Sequence, residues 1–153
     1  MDVVNDPHDL NRFVQAQERD YDQSLAEVGS GRKRSHWMWY IFPQFDGLGF
    51  SPISRRYSIK SLAEARAYLS HPILGARLEK SIEAALHVEG RSAHDIFGSP
   101  DDLKLKSCAT LFAFIASDGS VFGRLLDKYF QGEPDPATLR LLGDSPNSAE
   151  PGR

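Results

Sequence analysis

Residues 61–90 read SLAEARAYLSHPILGARLEKSIEAALHVEG, and this stretch decides the fold class. Ser61 and Glu64 stand three residues apart ahead of an apolar run. In that pattern each side chain satisfies a free backbone N–H of the first helical turn. The spacing predicts a helix running to about Ser70. His71-Pro72 starts a second, with Ile73, Leu74, Leu78, Ile82, Ala85 and Leu86 facing inward and Gly90 as its stop.

Helix signals continue on both sides. Toward the N-terminus, Asp6-Pro7 reads as a cap followed by a first-turn proline. Leu10, Phe13, Val14, Tyr21 and Leu25 then recur on one stripe up to Gly29. A short helix is predicted from Ser35 to Phe42, ending before Pro43. Toward the C-terminus, Ser92-Ala93-His94-Asp95 predicts a short helical turn. Ser99-Pro100-Asp101-Asp102 combines a cap, a proline and acids at the positive end of a helix dipole. The helix it opens carries Leu103, Thr110, Leu111, Phe114 and Ile115, and stops at Asp118-Gly119. Ser120 opens another with Val121, Phe122, Leu125, Leu126 and Tyr129, and Asp135-Pro136 a last one to Gly143. No convincing alternating strand is present. Residues 44–60, with Gly47-Leu48-Gly49, Pro52 and several serines, read as a long ordered loop, in which 50–59 is the only candidate for extended structure. The expected fold is all-α, a single multi-helix domain over 6–143 with one long ordered loop. Residues 144–153 have nothing to bury and are expected to be disordered.

A chain of 153 residues with 41% apolar and 25% charged residues suits one globular domain with one core. No apolar run approaches the roughly 20 residues that span a bilayer, and the acidic first residues lack the apolar core of a signal sequence. The lone Cys108 excludes an internal disulfide and a cysteine-cluster zinc site. A cytoplasmic location is the expectation. A net charge of −3 disfavours wholesale nucleic-acid binding.

That charge is unevenly spread. Residues 32–60 hold Arg32, Lys33, Arg34, Arg55, Arg56 and Lys60 against Asp46 alone, a local +5, so the rest of the chain carries −8. Both tryptophans, Trp37 and Trp39, lie in the same stretch with Tyr40, Phe42, Phe45, Phe50 and Tyr57. Aromatic surface beside concentrated positive charge is what an anionic, ring-bearing ligand needs. Trp37, Trp39 or Tyr40 would stack on the ring. Arg34, Arg55, Arg56 and Lys104 would hold the anion, with Tyr57 beside the two loop arginines. Ser35, His36 and Gln44 would supply polar contacts. Ser107 shares a helix face with Lys104 and would point with it into the cleft. His36, which titrates near neutrality, is the candidate acid/base group.

Each of these has a plainer reading. Ile41 and Phe42 suit a core helix, and His36 suits a capping or core position. Arg32-Lys33-Arg34 and the 104–107 face suit solvated surface. Cys108 reads as a small buried apolar group, and His71 as a capping residue. Gly47-Leu48-Gly49 marks a tight turn, since it lacks the third glycine and the Gly-Lys-Ser/Thr ending of nucleotide loops. His8, His87 and His94 have no metal-ligand spacing, and the dipole explains Asp101-Asp102. The residues call for no metal and no cofactor.

Several segments carry a family resemblance. They are Lys33-x-Ser35-His36-Trp37-Met38-Trp39-Tyr40-Ile41-Phe42-Pro43-Gln44, Gly47-Leu48-Gly49-x-Ser51, Ser54-x-x-Tyr57, Ala67-Tyr68-Leu69-x-His71-Pro72-x-Leu74-Gly75-x-Arg77-Leu78, and Asp102-x-Lys104-Leu105-x-Ser107. Over residues 8–143 the chain resembles the bacterial "domain of unknown function 1810" family, sometimes mislabelled calpastatin. The resemblance implies a small multihelical fold and no established activity. Cys108 departs from the family's usual Ser-Ser-Met-Thr-Leu-Phe run, here Ser107-Cys108-Ala109-Thr110-Leu111-Phe112. Ala16-Gln17 on the first helix is loosely similar to the NADAR group, linked to ADP-ribose chemistry.

The leading expectation is a binder of a small anionic, nucleotide-like metabolite. Its cleft is expected to be built from residues 32–44, the 45–60 loop and the 104–107 face. The alternatives are a hydrolase of N-glycosidic or ADP-ribosyl bonds in the same cleft, with His36 as acid/base, and a protein-interaction module that docks its aromatic loop. The residues assign neither a reaction nor an oligomeric state, and no membrane partner.

Overall fold

The structure is a computed structural model that describes residues 5–143, so the tail expected at 144–153 lies outside the described residues. Its helices are α1 (Asn11–Gly29), α2 (Met38–Ile41), α3 (Pro52–Arg56), α4 (Leu62–Ser70), α5 (Leu74–His87), α6 (Ala93–Phe97), α7 (Asp101–Ile115), α8 (Val121–Phe130) and α9 (Pro136–Gly143). The described residues form no strand, only an isolated parallel bridge between Phe45 and Ile59. The fold is all-α.

Helix α7 is the centre. Leu105 and every residue from Ser107 to Phe112 are buried, so the helix is covered on all sides. It packs against α4, α6, α8 and α9, while α5 packs against α1, α4 and α8. The ends of α7 reach the surface: Leu103 is 57% exposed and Phe114 41%, so neither serves the core. Ile73, expected inward, is also exposed, because it precedes the first turn of α5.

Caps form where local chemistry supplies an acceptor. The Ser61 hydroxyl accepts the Glu64 N–H at 3.0 Å. Glu64 does not return the bond to Ser61. Its carboxylate accepts the Lys60 N–H at 3.0 Å and pairs with Arg12. The reciprocal box is in α6, where Ser92 and Asp95 exchange bonds of 3.0 Å. His71 Nδ1 accepts the N–H groups of Ile73 and Leu74 at 3.1 and 3.2 Å and so starts α5. The expected cap of Ser99 on α7 is absent: Pro100 immediately precedes the helix, and no side-chain bond caps it.

Two segments differ from expectation. The predicted 35–42 helix is reduced to the four residues of α2, because the backbone N–H groups of Arg34 and Ser35 and the indole of Trp37 are held by Glu27 on α1 instead of by a helical ladder. Trp37, Met38, Tyr40, Ile41 and Phe42 nevertheless lie in the core. Within the 44–60 loop, the stretch expected as extended is the helix α3, capped by Ser51 and started by Pro52. The loop closes on itself through Asp46 N–H to the Ile59 carbonyl and Ile59 N–H to the Gln44 carbonyl, each 2.8 Å.

Arg12 anchors this loop to α1. Its guanidinium donates to the carbonyls of His8, Asp9, Arg56 and Ser58 and to Glu64 Oε2, at 2.7–2.9 Å. All five N–H donors of an arginine are thereby used in a buried setting, the geometry that makes its burial tolerable.

Candidate functional site

The basic–aromatic segment takes its shape from Glu27 on α1. Glu27 Oε1 accepts the N–H groups of Arg34 and Ser35 and the Trp37 indole N–H at 2.8, 3.1 and 2.9 Å, while Oε2 accepts the Ser35 hydroxyl at 2.6 Å and the Gln23 amide at 2.9 Å. Burial works to raise the Glu27 pKa. The bonds from Ser35, Arg34, Gln23 and Trp37 outweigh it and hold the carboxyl down at about 2. Trp37 is thereby fixed in the core, 1% exposed, and Trp39 is left as the half-buried ring of the pair.

Asp101, in the first turn of α7, faces this segment. Its two oxygens meet the ammonium groups of Lys33 and Lys104 at 2.9 and 3.0 Å. Burial opposes ionisation of Asp101, and the two lysines more than offset it, holding its carboxyl below the usual range. Lys33 Nζ also donates to the Ser35 carbonyl at 2.5 Å and lies 4.9 Å from the Trp37 ring centroid. Lys104 Nζ lies 4.1 Å from the Trp39 ring centroid. Lys33, His36, Trp37, Met38, Trp39, Tyr40, Ile53, Asp101 and Lys104 enclose an open cavity of about 190 Å³. Two fixed cations face one carboxylate there, so the wall carries a net positive charge beside an aromatic face.

This cavity brings together His36, Trp37, Trp39, Tyr40 and Lys104 of the expected site residues, and it separates the others. The single expected cleft is divided. Arg34 and Ser35 line an open groove of about 470 Å³ beside Gln23 and Glu27. Gln44 and Tyr57 lie behind Trp39 in a tight crevice with Leu48 and Ser54. Arg55 and Arg56 open onto another side of α3. Ser107 does not point into a cleft. Its hydroxyl is engaged by the Leu103 carbonyl and by Asp135, each at 3.1 Å, where Asp135 caps α9 through the Thr138 N–H at 3.0 Å. Trp37 and Tyr40 wall the cavity from the core, so Trp39 is the ring available for stacking. The Tyr40 hydroxyl donates to Asp20, and burial followed by that carboxylate pushes it up to about 12. His36 is exposed, and among the described residues no hydrogen bond orients its imidazole. Burial pushes the Cys108 thiol up, which suits an inert core group.

Sequence reasoning chose Arg34 over Lys33 from the basic triplet and missed Asp101 and Glu27 as the residues that build the site. Lys33 heads the longest family-like segment and belongs to the basic triplet, the two local signals that pointed to it. Asp101 read as a dipole acid and Glu27 was not singled out, since neither local pattern reveals a partner distant in sequence. No group of three or more His, Cys, Asp or Glu that could hold a metal occurs among the described residues. No helix among them is long and apolar enough to cross a membrane.

Fold and site together define a small all-helical domain with a cationic, aromatic-walled pocket. A family model described as "Protein of unknown function (DUF1810)" matches residues 7–142, and the chain belongs to that family. The chain is also similar to the conserved hypothetical protein Rv1873 from Mycobacterium tuberculosis, known from a crystal structure. The two share 51% identity over 89% of this chain and 97% of that one, with a TM-score of 0.87. Comparison with curated proteins gives no match.

Proposed function

We propose that this chain binds a small anionic, ring-bearing metabolite of nucleotide-like chemistry, in a bacterial cytoplasm, at the Lys33–Trp39–Lys104 pocket. The observation that carries this reading is the placement of two ammonium groups on one carboxylate, each beside an indole, around an open cavity. An incoming anion shares Lys33 and Lys104 with Asp101, and its ring packs on Trp39 and Ile53. At about 190 Å³ the cavity is smaller than the roughly 300–1,000 Å³ of most ligand pockets, so it takes one end of such a ligand.

Both tryptophans line this pocket and the chain has no others, so their emission reports on it selectively. The test is emission, excited at the red edge, together with thermal melting against nucleotides, ADP-ribose and sugar phosphates. A true ligand changes the emission. At 100 times its dissociation constant it adds about 2.7 kcal/mol of stability. Lys104→Ala weakens it ~10-fold or more. A panel that leaves the emission unchanged removes this reading, whatever it does to melting. Weight would then pass to the interaction module, which the 76% exposure of Phe50 and 57% exposure of Leu103 favour.

A further inference from the structure

Beyond the tryptophan pocket lies a second cleft of about 460 Å³, between the start of α1, α3 and the start of α4. Buried Arg12 forms its floor, but that guanidinium is spent on four carbonyls and on Glu64. Lys60, on the wall, is also committed: its ammonium donates to the Arg55 carbonyl at 2.5 Å and the Ser58 hydroxyl at 2.6 Å, 3.6 Å from Asp46. Arg55 and Arg56 are different. Both are exposed, and among the described residues neither has a carboxylate within salt-bridge reach. The Arg56 guanidinium lies over the face of Tyr57, 5.5 Å from its centroid. The lining carries Arg12, Arg55, Arg56 and Lys60 against Asp9 and Glu64, a net +2 on a chain of net −3.

We propose that this cleft is a separate anion site, in which Arg55 and Arg56 clamp a di- or triphosphate group. Two planar guanidinium forks on one helical turn offer paired donors to non-bridging phosphate oxygens. The volume, unlike that of the tryptophan pocket, falls within the range of ligand sites. Helix α3 separates the two: Ile53 lines one and the arginines the other.

The test is calorimetric titration of the full chain with pyrophosphate, tripolyphosphate and ADP, following tryptophan emission in parallel. Pyrophosphate or ADP is expected to bind without changing the emission. Arg55→Ala with Arg56→Ala should weaken binding ~10-fold or more, whereas Lys104→Ala should leave it unchanged. Arg55→Lys with Arg56→Lys, which keeps charge and removes the fork, should fall between. Equal affinity for pyrophosphate and ADP identifies a free oligophosphate as the ligand, and preference for ADP a nucleotide tail. Three outcomes overturn the proposal: no binding by any of the three, undiminished binding to the double alanine variant, or loss on Lys104→Ala with an emission change. The last would place the anion in the tryptophan pocket and support the proposed function instead.

Discussion

Glu27 Oε1 accepts the Trp37 indole N–H at 2.9 Å, which ties the last turn of helix α1 to the segment that walls the pocket. The same carboxylate takes four further donors, from Gln23, Arg34 and Ser35. The tryptophan and the backbone leading to it are therefore positioned by one buried anion, and the two lysines by a second, Asp101.

Glu27→Gln leaves one acceptor oxygen where two served, and at least one donor goes unmet. The expected loss is about 2–3 kcal/mol in urea unfolding at neutral pH. The pH dependence has a definite sign. Glu27 ionises at about 2 in the folded chain against an ordinary 4.5, so its stabilisation is complete above 4.5 and is lost as pH falls toward 2. Unfolding curves collected between pH 2 and 6 should be flatter for the variant. Equal acid sensitivity of the two proteins would disprove this role.

Arg12→Met strands a Glu64 side chain that is 3% exposed and frees four loop carbonyls. Breaking a buried ion pair from one side costs about 3–5 kcal/mol. Adding Glu64→Leu should recover part of that loss, giving a coupling energy above 1 kcal/mol in a double-mutant cycle of denaturation midpoints. Strict additivity would mean that the pair contributes no coupling.

Gly75→Ala tests the approach of α5 to α4. A Cβ at this position would sit 2.1 Å from the Leu69 carbonyl oxygen, a backbone atom that cannot rotate away. Alanine normally favours a helix by roughly 0.5–1 kcal/mol over glycine. Here the clash should reverse the sign and destabilise the chain by about 2 kcal/mol, seen as a lower melting temperature. A variant that melts higher would show that the helices separate freely.

Cys108 is fully buried in α7, and burial pushes its thiol up. A thiol-specific reagent should leave the native protein unmodified and label one group per chain in denaturant. Stoichiometric labelling of the folded chain within seconds would contradict this packing.

How much was legible depends on the range of each signal. Ser61, Ser120 and Asp135-Pro136 marked helix starts because a cap bonds its own first turn, three residues away. The 35–42 segment was misread for the opposite reason: its backbone N–H groups go to Glu27, seven and eight residues back on another element. Ser107 looked like a ligand contact because its helical face was visible. Asp135, which takes up its hydroxyl, was 28 residues away.

By itself the sequence determined the all-α class, most helix boundaries and the concentration of aromatic and basic residues in 32–60, since caps, prolines and apolar periodicity act over one or two turns. Tertiary structure alone decided which of those residues meet. It sent Lys33 and Lys104 to Asp101, Trp37 to Glu27 and Arg12 to Glu64, and it turned Arg55 and Arg56 away from the tryptophans. The physical reason is that a buried charge must find an opposite charge or a hydrogen-bond partner wherever packing places one. That placement is a property of the assembled helices and is not set by spacing along the chain.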